Sequence, residues 1–302
     1  MRIQWIKTPP LAEFGGFDTA RLYQMVPLGG KREIGIEVDQ ACVVESENTG
    51  VASIANVLTL AGPLASAPTT TNGILLSPGS RVRFSIVGVG EGHTRLLVRD
   101  GVLQSRLLVS VKTKRVAPYA VYFLKDIRRS TTRSSTSVQP TMVGVRKLFL
   151  NYANVELKPM QPEYADVIVP RDLGNPLFLN RNLGSGETVF KAILDATPNS
   201  LLEVAINGGV LVYCSWDVED VVTIGATKGN CAFVEDVNGT TNTFAHEIGH
   251  ALGLEHHNLS PGFLMYATYS GADDLLSAGE IDKLNESGAV PDIGYDPNYL
   301  EL

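Results

Sequence analysis

The segment from Phe244 to His256, FAHEIGHALGLEH, constrains the fold of this chain more than any other stretch. His246 and His250 are four positions apart, so on a helix both side chains project from one face, one turn apart. Gly253 is suited to the left-handed backbone conformation that ends a helix. The chain would then turn back and bring His256 close to the first two histidines. The spacing therefore predicts a helix, a glycine stop and a return that gathers three imidazoles.

Three imidazoles at this spacing are typical ligands of one zinc ion, which histidine nitrogens bind at about 2.0–2.1 Å. Glu247 follows the first histidine directly, so its carboxylate is placed beside the metal without necessarily being a ligand. Three protein ligands leave a fourth position for water, as in catalytic zinc sites. Three alternatives stay open: a helix with surface histidines, an inactive remnant of a metal site, and coordination by His257 in place of His256.

Residues 20–112 carry a different pattern, a series of short strands rich in Val, Ile and Leu and bounded by Gly, Pro, Asn or Asp. Along Arg81–Val87 the even positions form an apolar face, which indicates a half-buried strand. Strands at this spacing predict a β-sandwich. The stretch from Gly79 to Lys112 also resembles the last strands of a bacterial immunoglobulin-like domain. We expect this part of the chain to be a binding or spacer module.

The two halves of the chain differ in charge, since residues 1–140 carry a net charge of +7 and residues 141–302 of −14. Such asymmetry indicates two folding units. Eight of the twelve residues 130–141 are Ser or Thr, a composition typical of a linker. Residues from about 141 onward are therefore expected to fold without the first 130. The predicted domains are an N-terminal extension at 1–19, an immunoglobulin-like β-sandwich at 20–125, a Ser/Thr-rich linker at 126–142 and a second domain at 143–302.

The second domain combines strand and helix patterns. Val145–Val155, Gly209–Trp216 and Cys231–Val234 are predicted strands, because each is an apolar run bounded by polar or turn residues. Ser277 and Glu280 form a capping-box pattern that predicts the start of a final helix.

Composition excludes several classes of function. Basic residues of the first half are dispersed and no nucleic-acid-binding pattern accompanies them, so nucleic-acid binding is not expected. No apolar run reaches about 18 residues, so no membrane span is expected. The N-terminus lacks the apolar core of a secretory signal, which predicts cytoplasmic synthesis, with any export by a signal-independent route. Cys42, Cys214 and Cys231 form no disulfide framework, and three buried free thiols are favoured over a Cys214–Cys231 pair.

The extended motif HEIGHALGLEH at 246–256 resembles that of the metzincin zinc metallopeptidases, and of their matrixin branch in particular. Met265 lies nine residues beyond His256 and matches the family's Met-turn, in which a methionine lies beneath the zinc without binding it. The resemblance covers roughly residues 143–287. It implies a C-terminal α+β metzincin (zincin-like) catalytic domain. Together with the strand pattern and the immunoglobulin-like resemblance of the first part, the predicted fold is multidomain, with an N-terminal all-β immunoglobulin-like sandwich before this catalytic domain.

The resemblance also implies an activity, that of a zinc-dependent endopeptidase in which Glu247 assists the attack of a zinc-bound water on the peptide bond. Substrate would extend along a sheet edge near 230–235 and bind through main-chain hydrogen bonds. The candidate substrate-binding residues on that edge are Cys231, Ala232 and Phe233.

The loop after the Met-turn is expected to shape the pocket next to the cleaved bond, with Tyr266 and Tyr269 as candidate substrate-binding residues. Ala267 stands where astacin-like members of the family place a zinc-facing tyrosine. One catalytic zinc is expected, because residues 143–245 contain no further histidine for a second, structural zinc. Calcium is not supported, since 236–239 is interpreted as a tight turn.

No matrixin-type pro-segment is expected, because the motif Pro-Arg-Cys-Gly does not occur and Cys42 lies in an apolar strand pattern. The expected partner is a protein or peptide substrate, with an inhibitor, immunity or delivery partner as a further expectation. One hypothesis is therefore a secreted or delivered bacterial effector or toxin. The alternative is a binding module whose metal site is vestigial and inactive.

Overall fold

The computed structural model divides the chain into two compact units. The first comprises Met1–Arg115, Asn151–Asn154 and Leu275–Leu302, and the second comprises Val116–Leu150 and Val155–Asp274. None of the described helices is long and apolar enough to cross a membrane. The structure describes residues 1–6, 17–18, 22–62, 66–70, 73–198, 208–219, 225–237, 239–256, 263–266 and 276–285.

Two sheets build the first unit. Its described strands are β1 (Ile3–Ile6), β2 (Phe17–Asp18), β3 (Tyr23–Pro27), β4 (Lys31–Val38), β5 (Cys42–Ser46), β6 (Ala52–Ala61), β7 (Ser66–Thr70), β8 (Gly73–Leu76), β9 (Arg81–Gly88), β10 (Gly92–Arg99) and β11 (Leu103–Lys112). One sheet has the order β1-β4-β9-β6 and the other the order β2-β3-β11-β10-β5-β8-β7.

The alternation along Arg81–Val87 is confirmed in β9. Val82, Phe84 and Ile86 are fully buried, and they belong to one hydrophobic core with Val44 of the other sheet. Full burial of each such side chain stabilises the unit by about 1.5–3 kcal/mol, which is why the period-two pattern fixes the face that points inward.

A five-stranded sheet with the order β13-β12-β16-β18-β17 forms the second unit, beside a two-stranded sheet of β14 and β15. The strands are β12 (Arg115–Lys125), β13 (Val155–Ile168), β14 (Asn182–Gly184), β15 (Glu187–Thr188), β16 (Val210–Ser215), β17 (Gly225–Lys228) and β18 (Cys231–Glu235). The described helices of the chain are α1 (Ser135–Ala153), α2 (Val189–Ala196), α3 (Thr241–Ala251) and α4 (Ala278–Asn285).

The predicted strands at Gly209–Trp216 and Cys231–Val234 are confirmed as β16 and β18. These two strands pair in parallel, β16 also pairs in parallel with β12, and β17 pairs with β18 in the antiparallel direction. Tyr213 and Phe233 stack with ring centroids 4.9 Å apart in the core. The cysteines at 42, 214 and 231 are buried free thiols, as favoured from the sequence.

The predicted strand at Val145–Val155 is wrong, because helix α1 continues to Ala153 and β13 begins only at Val155. The buried residues of α1 are spaced by three and four positions, which is the period of a helix and not of a strand. They include Val138, Met142, Val145 and Phe149.

The structure also differs from the predicted linker at 126–142, since α1 begins at Ser135 and the two units divide between Arg115 and Val116. Two serines of the predicted linker form hydrogen bonds at the start of this helix. The Ser137 hydroxyl accepts a hydrogen bond from the Ser134 N–H at 2.9 Å, and the Ser134 hydroxyl accepts one from the Ser137 N–H at 3.4 Å. Ser and Thr are enriched at such helix starts, so composition alone did not separate a helix cap from a linker.

The predicted fold class is wrong. The first unit is not an all-β N-terminal domain, because helix α4 near the other end of the sequence belongs to it. Within this unit Asp282 of α4 forms an ion pair with Lys112 at 2.7 Å, and Arg115 donates a hydrogen bond to the Leu284 carbonyl at 2.7 Å. Most of the regular structure consists of strands, and these strands form several sheets. The described residues therefore show no clear division into an all-β domain and an α+β domain.

The capping box predicted at Ser277 and Glu280 is confirmed at the start of α4. The Ser277 N–H donates to the Glu280 carboxylate, and the Glu280 N–H donates to the Ser277 hydroxyl at 3.3 Å. Two N–H groups that lack a partner within the helix are thereby satisfied.

Candidate metal centre

Helix α3 carries two of the three histidines, and local hydrogen bonds fix where it begins. The Thr240 hydroxyl accepts a hydrogen bond from the Thr243 N–H at 3.4 Å, and the Thr243 hydroxyl accepts one from the Thr240 N–H at 3.2 Å. This reciprocal cap starts the helix three residues before Phe244, whose side chain is fully buried. His246 and His250 then follow on one face, as the spacing predicted.

Three imidazole nitrogens face one another at this helix. The Nε2 atoms of His246 and His250 are 3.1 Å apart, and each lies 3.0 Å from Nε2 of His256. The point between them is about 1.8 Å from each nitrogen, close to the Zn–N distance of about 2.0–2.1 Å. Among the described residues, these three histidines form the group of ligand side chains that could hold a metal ion.

The opposite ring nitrogens of two histidines set which tautomer is present. Nδ1 of His246 lies 2.7 Å from the Leu264 carbonyl oxygen, and Nδ1 of His250 lies 2.8 Å from the Leu254 carbonyl oxygen. A carbonyl oxygen can only accept, so each neutral ring carries its proton on Nδ1 and presents a lone pair at Nε2. Lone pairs that face one another at this distance repel unless a cation lies between them. The arrangement therefore fits a divalent metal ion such as zinc.

The end of helix α3 brings the third histidine back, as predicted from the glycine. Gly253 has a φ of +95°. Its N–H donates to the His250 carbonyl at 2.9 Å, and the Leu254 N–H donates to the Gly249 carbonyl at 2.9 Å. This pair of bonds is the Schellman arrangement, which reverses the chain after a helix. The reversal turns the Leu254 carbonyl toward His250 and returns the chain to His256.

Met265 packs directly against the helix that carries the histidines. It is fully buried, and a Cβ atom added at Gly249 would lie only 2.7 Å from its sulfur. Glycine at this helical position therefore allows the methionine to approach the backbone between His246 and His250. The preceding residue, Leu264, supplies the carbonyl that orients His246.

Glu247 is buried in the second unit, with 6% of its surface exposed. Burial raises the pKa of its carboxyl to about 7; the hydrogen bond from Thr227 opposes this rise, and the negative charge of Glu219 adds to it. The Thr227 hydroxyl lies 2.6 Å from Oε2 of this carboxyl. A carboxyl that titrates near neutral pH is suited to accept and return a proton.

The structure places the candidate substrate residues differently from the sequence prediction. Cys231, Ala232 and Phe233 are buried in β18, which pairs with β16 on one side and β17 on the other. Their main-chain groups are therefore used within the sheet, and β17 is the outermost described strand on this side. Tyr266 is half-buried one residue after the methionine. Tyr269 lies outside the described residues.

Arg133, whose side chain holds the loop before α3, was not identified in the sequence analysis; its contacts with this loop are called the Arg133 clamp. Arg133 has 12% of its side chain exposed, and it donates hydrogen bonds to the main-chain oxygens of Glu235, Asp236 and Gly239 at 2.9–3.2 Å. The Asp236 carboxylate in turn accepts a hydrogen bond from the Thr132 N–H at 2.6 Å. These contacts join positions about one hundred residues apart, so no local sequence spacing could predict them.

No protein-family model and no curated protein matches this chain. Metalloproteinase-II from Bacteroides fragilis is a similar solved structure with 17% identity, a TM-score of 0.40 and coverage of 57% of this chain and 52% of its own. Domains 4 and 5 of the S-layer protein SbsC have 19% identity, a TM-score of 0.20 and coverage of 29% and 45%.

A chaperone-substrate complex has 13% identity, a TM-score of 0.36 and coverage of 67% of this chain and 37% of its own. The chain thus spans about half or less of the length of these three solved structures. All three TM-scores lie below 0.5, so these similarities carry no information about function.

Proposed function

We propose that this protein is a zinc-dependent endopeptidase. The observation that supports it is the convergence of three histidine Nε2 atoms within 3.0–3.1 Å of one another, on and just beyond the helix that carries the buried Glu247. Three histidines form a ligand set of catalytic zinc sites, because they leave one position for water or substrate. Structural zinc sites are closed by four protein ligands instead.

When bound here, zinc supplies Lewis-acid chemistry, which polarises a carbonyl group and makes a water molecule more acidic. His246, His250 and His256 would hold the ion through Nε2. Glu247 takes a proton from the attacking water while the water oxygen bonds to the carbonyl carbon of the peptide. The carboxyl then gives this proton to the amine nitrogen as the C–N bond breaks, which regenerates the carboxylate.

The proposed substrate is an extended peptide that pairs with β17. This strand is the outermost described strand on its side of the five-stranded sheet, and its Thr227 contacts Glu247. A peptide added at a sheet edge binds through main-chain hydrogen bonds, which places its carbonyl groups in a regular row. Pairing with β17 would therefore carry the peptide past the Glu247 side of the site.

The test is cleavage of a peptide library with blocked termini by the zinc-loaded full-length protein. We expect cleavage of internal bonds, one zinc per chain and loss of cleavage when a chelator removes the metal. Glu247→Gln should lower kcat by about 10²–10⁴-fold with zinc retained, because only the proton acceptor is lost. His250→Ala should lose zinc and cleavage together.

A protein that holds zinc and cleaves no blocked peptide would refute the proposed activity. Full cleavage by Glu247→Gln would instead refute the role given to this carboxyl, and loss of zinc in that variant would mean that Glu247 is a ligand.

A further inference from the structure

Strand β17 and helix α3 meet at the Glu247 side chain. The Thr227 hydroxyl lies 2.6 Å from Glu247 Oε2 and 3.0 Å from the main-chain oxygen of the same residue. One side chain of the sheet therefore contacts both the carboxyl group and the helical backbone from which it projects. A contact of this kind restricts the rotation of the carboxyl plane about its last torsion.

The residue two positions earlier on β17 leaves space for the same side chain. A Cβ atom added at Gly225 would lie 2.7 Å from both Cγ and Oε1 of Glu247, closer than real Cβ atoms approach their neighbours. Residues i and i+2 of a strand share one face, so Gly225 and Thr227 face Glu247 together. Glycine leaves room for Oε1, while threonine holds Oε2.

We propose that Thr227 is a positioning residue for Glu247, and that Gly225 provides the space this position requires. The proposal rests on the proposed peptidase function, in which Glu247 moves the proton. In this assignment the peptide pairs with the main chain of β17, and the Thr227 side chain touches neither substrate nor metal. This side chain acts by fixing where the carboxyl oxygens point. A general base displaced by about 1 Å can lose 10²-fold in rate, so a fixed orientation has a direct catalytic consequence.

The chemistry of a hydroxyl suits this task through the whole proton cycle. Toward the carboxylate, the Thr227 O–H donates to Oε2. When Glu247 holds the proton from water, the carboxyl O–H can donate to the Thr227 oxygen, whose own proton then turns to the main-chain carbonyl of Glu247 at 3.0 Å. Both contacts exist in the structure, so proton transfer would leave the carboxyl anchored.

The test compares Thr227→Val, which keeps the shape and removes the hydroxyl, with Thr227→Ser, which keeps the hydroxyl. Steady-state kinetics use the best blocked peptide from the library. Thr227→Val should lower kcat by about 10–100-fold with KM and zinc content unchanged, a loss of the size seen when the hydrogen-bond partner of a metal ligand is removed. Thr227→Ser should restore most of kcat. Crystal structures of the zinc-loaded variants give a second readout, because the Glu247 carboxyl should rotate in Thr227→Val and stay in Thr227→Ser.

Gly225→Ala supplies an independent variant, since its methyl group must displace the carboxyl. We expect lower kcat with zinc retained, and a double variant with Thr227→Val that is no worse than about twofold below the slower single variant, because both changes act through Glu247.

Several results would overturn the proposal: an unchanged kcat and carboxyl orientation in Thr227→Val, a Thr227→Ser variant as slow as Thr227→Val, or loss of zinc in step with kcat. Failure of the wild-type protein to cleave any peptide would instead refute the peptidase function. The crystallographic readout would then still decide whether Thr227 orients Glu247.

Discussion

Replacement of Arg133 by methionine should lower the stability of the second unit, because this side chain connects two segments that lie about one hundred positions apart in the sequence. The guanidinium group donates to three main-chain oxygens of the loop 235–239, and it lies 5.3 Å from the centre of the Phe244 ring. Methionine retains most of the apolar contact of the side chain but donates no hydrogen bond. The loop would then lose its connection to the segment that precedes α1.

The size of the loss follows from these contacts. A hydrogen bond from a charged donor contributes about 1.5–3 kcal/mol, and two of the carbonyl contacts, to Glu235 and Gly239, are short at 2.9 Å. Solvent can replace part of the bonding because, among the described residues 235–237 and 239, Glu235 alone is buried. We therefore expect Arg133→Met to lower the free energy of unfolding of this unit by about 3 kcal/mol, and to weaken zinc binding by the helix that follows the loop.

The assay is urea denaturation followed by tryptophan fluorescence. The two tryptophans lie in different units, so a Trp5→Phe background leaves Trp216 as the reporter of the second unit. Arg171→Met is the matched control, because Arg171 is 51% exposed and its ion pair with Glu187 should contribute at most about 1 kcal/mol. A loss below about 1 kcal/mol in Arg133→Met, or a loss equal to that of the control, would refute the reasoning.

Three further changes should have measurable effects. Gly249→Ala should lower the urea midpoint of the second unit, since its methyl group would lie 2.7 Å from the Met265 sulfur and overpacking costs about 1–3 kcal/mol. Glu235→Gln should stabilise the protein at pH 7, where the buried carboxylate is unfavourable, and the gain should disappear toward about pH 4. A chain that begins at Thr141 should fail to fold by circular dichroism, because it lacks β12, an interior strand of the sheet; one that begins at Val116 keeps that strand.

Each of these predictions has an outcome that contradicts it. An unchanged midpoint in Gly249→Ala would mean that Met265 moves away at no cost. The sign for Glu235 follows from a pKa that burial, helped by the nearby Asp217 charge, raises in the folded state, so folding is favoured as pH falls through that pKa. A gain that grows toward acidic pH would reverse this sign. A folded chain from Thr141 would show that β12 is dispensable.

The meeting of the three histidines could be predicted from the sequence because the information for it is local. Helical spacing, a left-handed glycine and a return of three residues fix the positions of His246, His250 and His256 within eleven positions. The contacts that orient Glu247 could not be found in this way. Thr227 lies 20 positions from Glu247, and the Arg133 clamp reaches across about one hundred positions. Such contacts depend on which strands pair and where the helix crosses the sheet, and neither is encoded in spacing.

The prediction of a linker was wrong because it rested on amino-acid composition and not on the spacing of apolar residues. The Ser/Thr-rich stretch near 130–141 suggested a linker, yet Val138, Met142, Val145 and Phe149 already repeat at helical intervals. The membership of helix α4 in the first unit could not be predicted for another reason. Its capping box predicts where the helix begins, whereas its membership of the first unit depends on contacts such as the Asp282–Lys112 ion pair, which spans 170 residues of sequence.

Strand β17 shows why the sequence analysis placed a sheet edge at the wrong strand, because β18 lies between β16 and β17. Cys231–Glu235 is mostly apolar because β18 is a buried interior strand. This apolar run made it the strand that the sequence analysis recognised. Gly225–Lys228 lacks such a pattern, since all four residues are half-buried at the edge of the described sheet. The exposure that leaves main-chain groups of an edge strand free to pair with a peptide also removes the apolar alternation by which strands are recognised. In this chain the same short strand supplies Gly225 and Thr227, which both lie against the Glu247 side chain.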